Sequence, residues 1–268
     1  MKHIDPIQII ATLGPATTDP AVIEALLRAG TSLVRLNFSH GTREEHQTFV
    51  DSARQAAGRL GRRVAIVQDL SGPRTPTDGG HSFDAQAPVV THKDITDVQS
   101  LVSREVEYIA QSFVRTADDV EDLRSVLHAE GLSTKIIAKI ERPEALRNLD
   151  DIIAAADGIM IARGDLGNAV PLEKLPFIKK DILARCRLSL TPCIVATELL
   201  TSMQDDPVPS RADISDIAQA VVDGASATML SNETAVGANP VEAVAMMRRV
   251  VDEARTHTTT GSAARFHV

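Results

Sequence analysis

The chain has 268 residues, of which 43% are hydrophobic and 24% are charged, a balance that is ordinary for a globular protein of one large or two small domains. A formal net charge of −8 without any basic block argues against nucleic-acid binding, and no apolar run approaches the roughly 20 residues of a membrane span. The N-terminus lacks the apolar core of a signal peptide, and the two cysteines read as buried, reduced thiols, so a cytoplasmic protein is expected.

Short apolar runs of strand length alternate along the chain with longer segments of helical spacing. The eight runs cover residues 8–12, 32–36, 63–68, 106–111, 135–140, 158–162, 192–196 and 227–230. The clearest helical segments cover residues 20–29, 44–60, 117–129 and 240–254. Strands that alternate with helices predict parallel pairing, and eight such units in about 250 residues match the length of a (β/α)8 barrel, an α/β fold also called a TIM barrel. A doubly wound open sheet is the competing arrangement, but no G-x-G-x-x-G turn follows the first run.

Two segments depart from this alternation. Residues 71–92 are rich in proline, glycine and aspartate and predict a long irregular loop, which in a compact domain is usually functional or mobile. Residues 256–268 are polar and non-periodic and predict a flexible tail. We therefore expect a single barrel domain over residues 1–255.

Polar residues follow the predicted strands, where parallel barrels place their reacting groups. Lys139 and Glu141 lie two residues apart and so share one face of a strand. Glu141 and Asp165 follow neighbouring strands, and two such carboxylates can share one hard divalent cation, whereas the chain has no His/Cys cluster for zinc. Alternatively, Glu141 and Asp165 are two unrelated surface acids, and Lys139 only forms an ion pair with Glu141.

One further motif and three further residues are each weak evidence for a functional site when taken alone. The turn in "ARGDLG", residues 162–167, offers backbone N–H groups to a carboxylate, or is simply a helix cap made by Asp165. Arg35 could clamp a phosphate or form a structural ion pair. Thr197 could relay a proton or be structural, and His40 could be a solvated loop residue. Their joint placement on successive strand ends favours a functional site.

The motifs together resemble the barrel domain of pyruvate kinases, from about Gln8 to Glu253. They are "IIATLGPAT", "VRLNFSHGTREEH", "AQSFVRTADDV", "IIAKIERPEAL", "DGIMIARGDLG", "VATELLTSM", "PSRADISDIAQAVVDGA" and "MLSNETAVGANPVEAV", in the family's order. The resemblance implies that Glu141 and Asp165 hold Mg²⁺ or Mn²⁺ and that Lys139 lies between phosphate and enolate. It also implies that Thr197 lies near the carbon that exchanges a proton, and that Arg35 binds phosphate.

Further roles follow from the same resemblance. The expected substrate-binding residues are Ser112, Ala162, Arg163, Gly164 and Asp165. A monovalent-cation site is implied at Asn37, Ser39 and Asp69. Nucleotide or phosphate contacts are implied at Pro15, His40 and Arg74.

Departures from the family pattern concentrate on the nucleotide side. The short segment 71–92 stands where pyruvate kinases insert a lid domain, and the C-terminal regulatory domain is also expected to be missing. The family reads D-T-K-G-P-E-I-R after the third strand, whereas residues 69–76 read D-L-S-G-P-R-T-P. Leu70 thus removes a hydroxyl ligand, which makes a K⁺ site doubtful. Asn232 and Glu198 replace a glycine and a glutamine of the family.

Because the changes spare the residues for a 2-oxo acid, the sequence predicts metal-dependent chemistry on pyruvate, its enolate or a related 2-oxo acid. We expect an enzyme of lyase or aldolase type that makes or breaks a carbon–carbon bond and turns over little ADP, since a lid excludes water during phosphoryl transfer. The alternatives are a minimal pyruvate kinase and a catalytically inactive scaffold or binding subunit. A homo-oligomer is expected, without nucleic-acid or membrane partners.

Overall fold

Eight parallel strands close into one barrel in the computed structural model, which describes residues 7–77, 80–83, 87–258 and 264–267. The barrel strands are β1 (Gln8–Leu13), β2 (Leu33–Asn37), β3 (Ala65–Asp69), β6 (Tyr108–Gln111), β7 (Lys135–Ile140), β8 (Gly158–Ala162), β9 (Cys193–Ala196) and β10 (Ala227–Leu230). Each pairs with the next in chain order, and β1 closes the ring against β10. The predicted (β/α)8 barrel is confirmed, and every predicted run overlaps one of these strands.

Helices cover the outside of the barrel. They are α1 (Pro20–Ala29), α2 (Arg43–Arg59), α3 (His92–Leu101), α4 (Ala117–Ala129), α5 (Pro143–Arg147), α6 (Leu149–Ala155), α7 (Arg163–Ala169), α8 (Leu175–Leu188), α9 (Arg211–Asp223), α10 (Asn232–Ala235) and α11 (Pro240–Thr256). Local sequence sets several of their ends. At α2, for example, the Thr42 hydroxyl accepts a hydrogen bond from the Glu45 amide while the Glu45 carboxylate accepts one from the Thr42 amide.

The hydrophobic core has two layers that follow the alternation along each strand. In β1, Ile10 packs inside the barrel with Met160 and Met229. Its neighbour Ile9 packs outward, in the layer between the barrel and the helices. Both faces of each strand are thus buried, which explains why the strands read as continuous apolar runs.

The predicted irregular loop contains a hairpin that the sequence did not indicate. Strands β4 (Arg74–Thr77) and β5 (Gly80–Phe83) pair in antiparallel fashion, and α3 begins at His92. Neither strand alternates apolar and polar residues, so period-two patterning gave no signal here. Residues 78–79 and 84–86 of this segment lie outside the described residues.

The far end of the chain closes the N-terminal mouth of the barrel. Phe266 is 3% exposed and packs edge-on against Tyr108, with ring centroids 5.2 Å apart. Gln8 holds the Phe266 backbone at both ends, donating to its carbonyl at 3.1 Å and accepting from its amide at 3.0 Å. A Cβ on Gly158 would lie 2.6 Å from the Phe266 ring, so glycine makes room for it. The predicted tail therefore contains a packed element, while its residues 259–263 and 268 lie outside the described residues.

An ion cluster joins three helices on the C-terminal side of the barrel. Arg163, at the start of α7, and Lys179, on α8, both bind the Asp216 carboxylate on α9, with Lys179 Nζ 3.1 Å from Oδ1. Burial alone would raise the pKa of Asp216, but the charges of Arg163 and Lys179 outweigh it and hold the pKa below its ordinary value. The carboxylate therefore stays ionised at neutral pH and fixes both cations.

Both cysteines, Cys186 and Cys193, are buried free thiols, as the sequence predicts. Burial raises the pKa of the Cys193 thiol, and its contact with Cys186 adds to the shift, so this thiol is unreactive in the folded chain. Over the described part of the chain, no helix combines the length and apolar character that crossing a bilayer requires.

Replacing Phe266 with alanine should lower the free energy of unfolding by about 3 kcal/mol, because it empties a buried aromatic site. Urea denaturation measures this value. His267→Ala is the matched control, because it keeps the backbone bonds to Tyr108 and changes only an exposed side chain. A loss below about 0.5 kcal/mol for Phe266→Ala, the range of ordinary surface substitutions, would show that the segment does not pack in the barrel mouth.

The Asp216 cluster should make the free energy of unfolding depend on pH in the acid range. Because the folded pKa lies below the unfolded one, the contribution is present above the ordinary carboxyl pKa of about 3.9 and fades as pH falls through the lowered folded pKa. Asp216→Asn should therefore be less stable than wild type at pH 7, and the difference should shrink below about pH 4. Urea unfolding across pH measures it, with the exposed Asp150→Asn as control. A difference that stays constant with pH would contradict this assignment.

Candidate active site

A polar cavity of about 330 Å³ opens at the C-terminal ends of the barrel strands. The sequence-predicted residues that line it are Arg35, Asn37, Asp69, Arg74, Lys139, Glu141, Ala162, Gly164, Asp165 and Thr197. Ser112, Arg163 and Ser39 do not line it, and Pro15 and His40 line a neighbouring pocket. Residues from the ends of five barrel strands thus converge, as a functional barrel rim requires.

Lys139 lies at the centre of the charged residues. Its Nζ is 3.0 Å from Asp69 Oδ1 and 3.0 Å from Glu141 Oε1, and it donates to the Ser112 hydroxyl at 2.7 Å. Burial would lower the pKa of Lys139, but the charges of Asp69 and Glu141 outweigh it and raise the pKa above its ordinary value. Lys139 is therefore a permanent positive charge at neutral pH and not a base.

Arg35 completes a balanced cluster around Asp69. Its Nε lies 2.6 Å from Asp69 Oδ2, and its Nη1 donates to the Thr12 hydroxyl at 3.2 Å. Burial would raise the pKa of Asp69, but Arg35 and Lys139 outweigh it and the pKa lies below its ordinary value. Arg35, Lys139, Asp69 and Glu141 thus carry two positive and two negative charges, which cancel.

Glu141 is held by a backbone amide at one oxygen and by the charge of Lys139 at the other. Its Oε2 accepts a hydrogen bond of 2.7 Å from the Phe113 amide, and Phe113 adopts φ +60°, an unusual conformation for a bulky residue. Its Oε1 has the charge contact with Lys139 but accepts no hydrogen bond from any described residue, although it is buried. A buried carboxylate oxygen without a hydrogen bond is a natural place for a cation.

Asp165 faces the same cavity and is bound by the hairpin. Arg74, the first residue of β4, donates from Nη2 to Asp165 Oδ2 at 3.2 Å, and its guanidinium lies 5.4 Å from the Phe113 ring centre. Among the described residues, no group of three or more His, Cys, Asp or Glu is close enough to hold a metal by itself. A divalent cation bound by Glu141 and Asp165 would need oxygens from water or substrate to complete its coordination.

The turn after β9 is strained and is tied down from outside. Thr197 and Glu198 adopt φ +67° and +54°, left-handed conformations that cost about 1–2 kcal/mol for each L-residue. Arg163 donates to the carbonyls of Ala196 at 3.3 Å, of Glu198 at 2.9 Å, and of Thr197. With a further bond to Asp216, the Arg163 guanidinium is directed away from the cavity and toward the β9 turn.

Thr197 is also joined to the predicted carboxylate-binding turn. The Gly164 amide donates a hydrogen bond of 2.9 Å to the Thr197 hydroxyl. This amide is therefore hydrogen-bonded within the protein, whereas the sequence predicts that it binds a substrate carboxylate. The hydroxyl proton of Thr197 binds no acceptor among the described residues, so it remains able to donate.

Sequence analysis missed Glu233, a buried carboxylate on the same rim. It is 1% exposed and accepts hydrogen bonds from the Leu200 amide at 3.1 Å and the Ser231 amide at 2.8 Å. It therefore joins the loops after β9 and β10. The available signal was an acid in "SNETA" directly after an apolar strand, but carboxylates in such turns are common, and the Leu200 amide lies 33 positions away in sequence.

A second, larger pocket of about 870 Å³ adjoins the polar cavity. Leu13, Pro15, Phe49 and Val236 give it an apolar lining, and His40 lies at its edge. The two pockets share a wall, made by Arg35, Asn37, Ser231 and Asn232. Burial first, and then the charges of Arg74 and Arg35, lower the pKa of His40, so the imidazole is neutral at pH 7.

The residues of the implied monovalent-cation site have other partners. Both carboxylate oxygens of Asp69 bind cationic side chains, Oδ2 with Arg35 and Oδ1 with Lys139. Asn37 Oδ1 accepts a hydrogen bond of 3.2 Å from the Ser39 amide. Leu70 at the following position is buried and offers no hydroxyl. These contacts do not form a set of open oxygens for K⁺.

Comparison with known proteins shows extended similarity to one family. The family model described as pyruvate kinase, barrel domain, matches residues 4–82 and 80–244. The chain is 34% identical to a pyruvate kinase of Thermococcus litoralis, covering 91% of this chain and 68% of the relative. It is 35% identical to a pyruvate kinase of Geobacillus stearothermophilus, covering 91% of this chain and 56% of the relative.

The same comparisons locate a difference in length. The Thermococcus litoralis alignment runs over 324 positions, more than the 268 residues of this chain, so the relative has residues without a counterpart here. The two matched segments of the family model meet at residues 80–82, within the β4–β5 hairpin. The chain spans between about half and two thirds of the length of these relatives.

The prediction of a lyase or aldolase type enzyme is wrong. The relatives are named pyruvate kinase, which denotes a phosphotransferase, at 33–35% identity over 89–93% of this chain. The prediction gave too much weight to the missing lid, because the pocket beside the polar cavity is built by the barrel's own loops and helices. The chain belongs to the pyruvate kinase family and corresponds to its barrel domain.

Proposed function

We propose that this barrel transfers a phosphoryl group between phosphoenolpyruvate and ADP, as the name of its relatives suggests. The observation that carries the proposal is the wall shared by the polar cavity and the larger apolar pocket. Phosphoryl transfer needs donor and acceptor aligned on either side of one moving phosphate. Chemistry on a 2-oxo acid alone would not need the second pocket.

Arg35 is the residue proposed to hold the phosphate in transit. It lines both pockets, and its Nε and Nη1 are fixed by Asp69 and Thr12. Its Nη2 makes no hydrogen bond with any described residue, which leaves this donor for a phosphate oxygen. A guanidinium held in this way is already oriented, so little rotational freedom is lost when the anion binds.

The apolar pocket is proposed to take the nucleoside part of ADP. Its volume of about 870 Å³ lies within the range of roughly 300–1,000 Å³ that is usual for ligand pockets. Neutral His40 can donate one hydrogen bond to the nucleotide but adds no charge. The lining comes from β1, β2, α2 and α10 and their loops, so base and ribose binding would survive the loss of a lid.

Lys139 and Thr197 are proposed to act on the pyruvate half. Because Lys139 stays protonated, it would stabilise negative charge on the enol oxygen and on the departing phosphoryl group. The Thr197 hydroxyl accepts from the Gly164 amide, which directs its proton elsewhere, toward the cavity that it lines. It would thus deliver a proton to the enolate carbon as pyruvate forms.

The residues present fit a divalent cation. The buried Glu141 Oε1 accepts no hydrogen bond from the described residues, and both Glu141 and Asp165 line the cavity as hard oxygen donors. The charges of Arg35, Lys139, Asp69 and Glu141 already cancel, so an entering phosphate and carboxylate bring negative charge that the protein does not balance. Mg²⁺ or Mn²⁺ held by Glu141 and Asp165 would supply the missing positive charge.

A coupled assay with phosphoenolpyruvate, ADP and Mg²⁺ should detect pyruvate formation that depends on enzyme and on ADP. Lys139→Ala should lower the rate by about 10²–10³-fold, because a pre-oriented positive charge is removed from the reacting oxygens. The exposed Lys180→Ala should leave it unchanged. Wild-type protein that binds Mn²⁺ but forms no pyruvate above background, with or without K⁺, would refute the proposed transfer.

Metal affinity gives a test that is independent of turnover. In a Mn²⁺ titration followed by electron paramagnetic resonance, Glu141→Gln should weaken binding by at least about 10-fold, because a charged ligand is lost. Arg74→Ala should strengthen binding by about two- to fivefold, because it removes a cation that competes for Asp165. Glu44→Gln, an exposed acid of the neighbouring pocket, is the control. Unchanged affinity in Glu141→Gln would place the metal elsewhere.

A further inference from the structure

The β9 turn depends on a side chain that belongs to another element. Arg163 follows β8, yet its guanidinium reaches three consecutive carbonyls of the turn, those of Ala196, Thr197 and Glu198. Arg163 is 8% exposed and does not line the cavity. The sequence-based expectation of a substrate contact therefore does not describe where this side chain lies.

The conformation of the turn explains why such support is needed. Thr197 and Glu198 are consecutive L-residues at positive φ, and Thr is β-branched, which disfavours that region further. Strained residues of this kind persist only when surrounding contacts over-determine them. Three carbonyl oxygens bound to one rigid group provide such contacts, because they cannot all be kept if either residue rotates to the extended region.

Arginine is suited to this task where lysine is not. Its planar guanidinium presents donors in a fixed fork, and those of Arg163 are divided between the carbonyls and the Asp216 carboxylate. Asp216 in turn is held by Lys179, 3.1 Å away. A lysine at position 163 would keep the charge but could not bind three carbonyls and a carboxylate in one plane.

The structure thus assigns to Arg163 a positioning role: we propose that it holds the β9 turn in its left-handed form and so keeps the Thr197 hydroxyl on the Gly164 amide and facing the cavity. Its effect on turnover rests on the proposed phosphoryl transfer, whereas its effect on the turn does not. Arg163 acts through Thr197 and touches no reacting atom.

Amide hydrogen exchange tests the turn without any substrate. In Arg163→Lys, the amides of Gly164 and Leu200, which bind Thr197 and Glu233, should exchange at least about 10-fold faster, since the strained turn opens when its support is lost. Amides of β6 and β7 should keep their protection. Lys179→Met, which leaves the carbonyl contacts in place, is the matched control and should resemble wild type. Unchanged exchange at Gly164 in Arg163→Lys would overturn the proposal.

Kinetics separate positioning from substrate binding. Arg163→Lys should lower kcat by about 10–100-fold, within the loss expected when a proton-transfer group is misplaced, with KM for phosphoenolpyruvate changed less than threefold. Adding Arg163→Lys to Thr197→Val should cause little further loss, because both changes remove the same hydroxyl position. Additive losses, or a change confined to KM, would contradict the positioning role.

The role of Arg163 can still be tested if the proposed phosphoryl transfer fails or if the Arg163→Lys variant does not fold. If wild type forms no pyruvate, the proposed transfer fails, and the exchange of Gly164 and Leu200 still decides the role of Arg163. If Arg163→Lys does not fold, Asp216→Asn removes the anchor of the guanidinium while keeping Arg163 itself. It should then show faster exchange at Gly164 relative to the amides of β6 and β7, and a ratio equal to that of wild type would overturn the proposal.

Discussion

The site depends on one buried lysine held between two buried carboxylates. Lys139 is removed from water, and its charge survives only because Asp69 and Glu141 lie 3.0 Å away on either side. Removing either partner would leave an uncompensated charge inside the barrel, which is far less favourable than the intact cluster. The same contacts fix the protonation state of Lys139 and the orientation of both carboxylates, so charge balance and chemistry are set together.

The same charge balance bears on the proposed binding of a divalent cation and a phosphate. The cavity carries paired charges: Lys139 and Arg35 with Asp69 and Glu141, and Arg74 with Asp165. An entering phosphate disturbs that balance, and a divalent ion at Glu141 and Asp165 would restore it. Binding of metal and anion would thus be mutually dependent, even with a short hairpin where relatives of this chain have additional residues.

Three of the five described non-glycine residues at positive φ lie at the rim, where long-range contacts hold them. Phe113, Thr197 and Glu198 adopt positive φ, and each lies beside a cavity residue or lines the cavity itself. Glu141 binds the Phe113 amide, and Arg163 binds the carbonyls of the β9 turn. These two rim loops are therefore each fixed by a side chain from a neighbouring element, which holds Glu141 and Thr197 in place at the cavity.

The barrel and most cavity residues could be predicted from the sequence, because continuous apolar runs that alternate with amphipathic segments specify parallel strands, and polar residues after those strands must meet at one rim. Local pattern also placed Lys139 and Glu141 on one face. The sequence pattern did not predict that Phe266 packs in the barrel mouth, that Glu233 joins two loops, or that Arg163 is directed away from the cavity. The contacts responsible join residues 33 or more positions apart in sequence. The pattern also could not reveal that the larger pocket belongs to the barrel itself. Residue types and their order decided the fold and the family. Tertiary packing decided which charged side chains form ion pairs with each other, because only the assembled barrel determines which opposite charges are buried together.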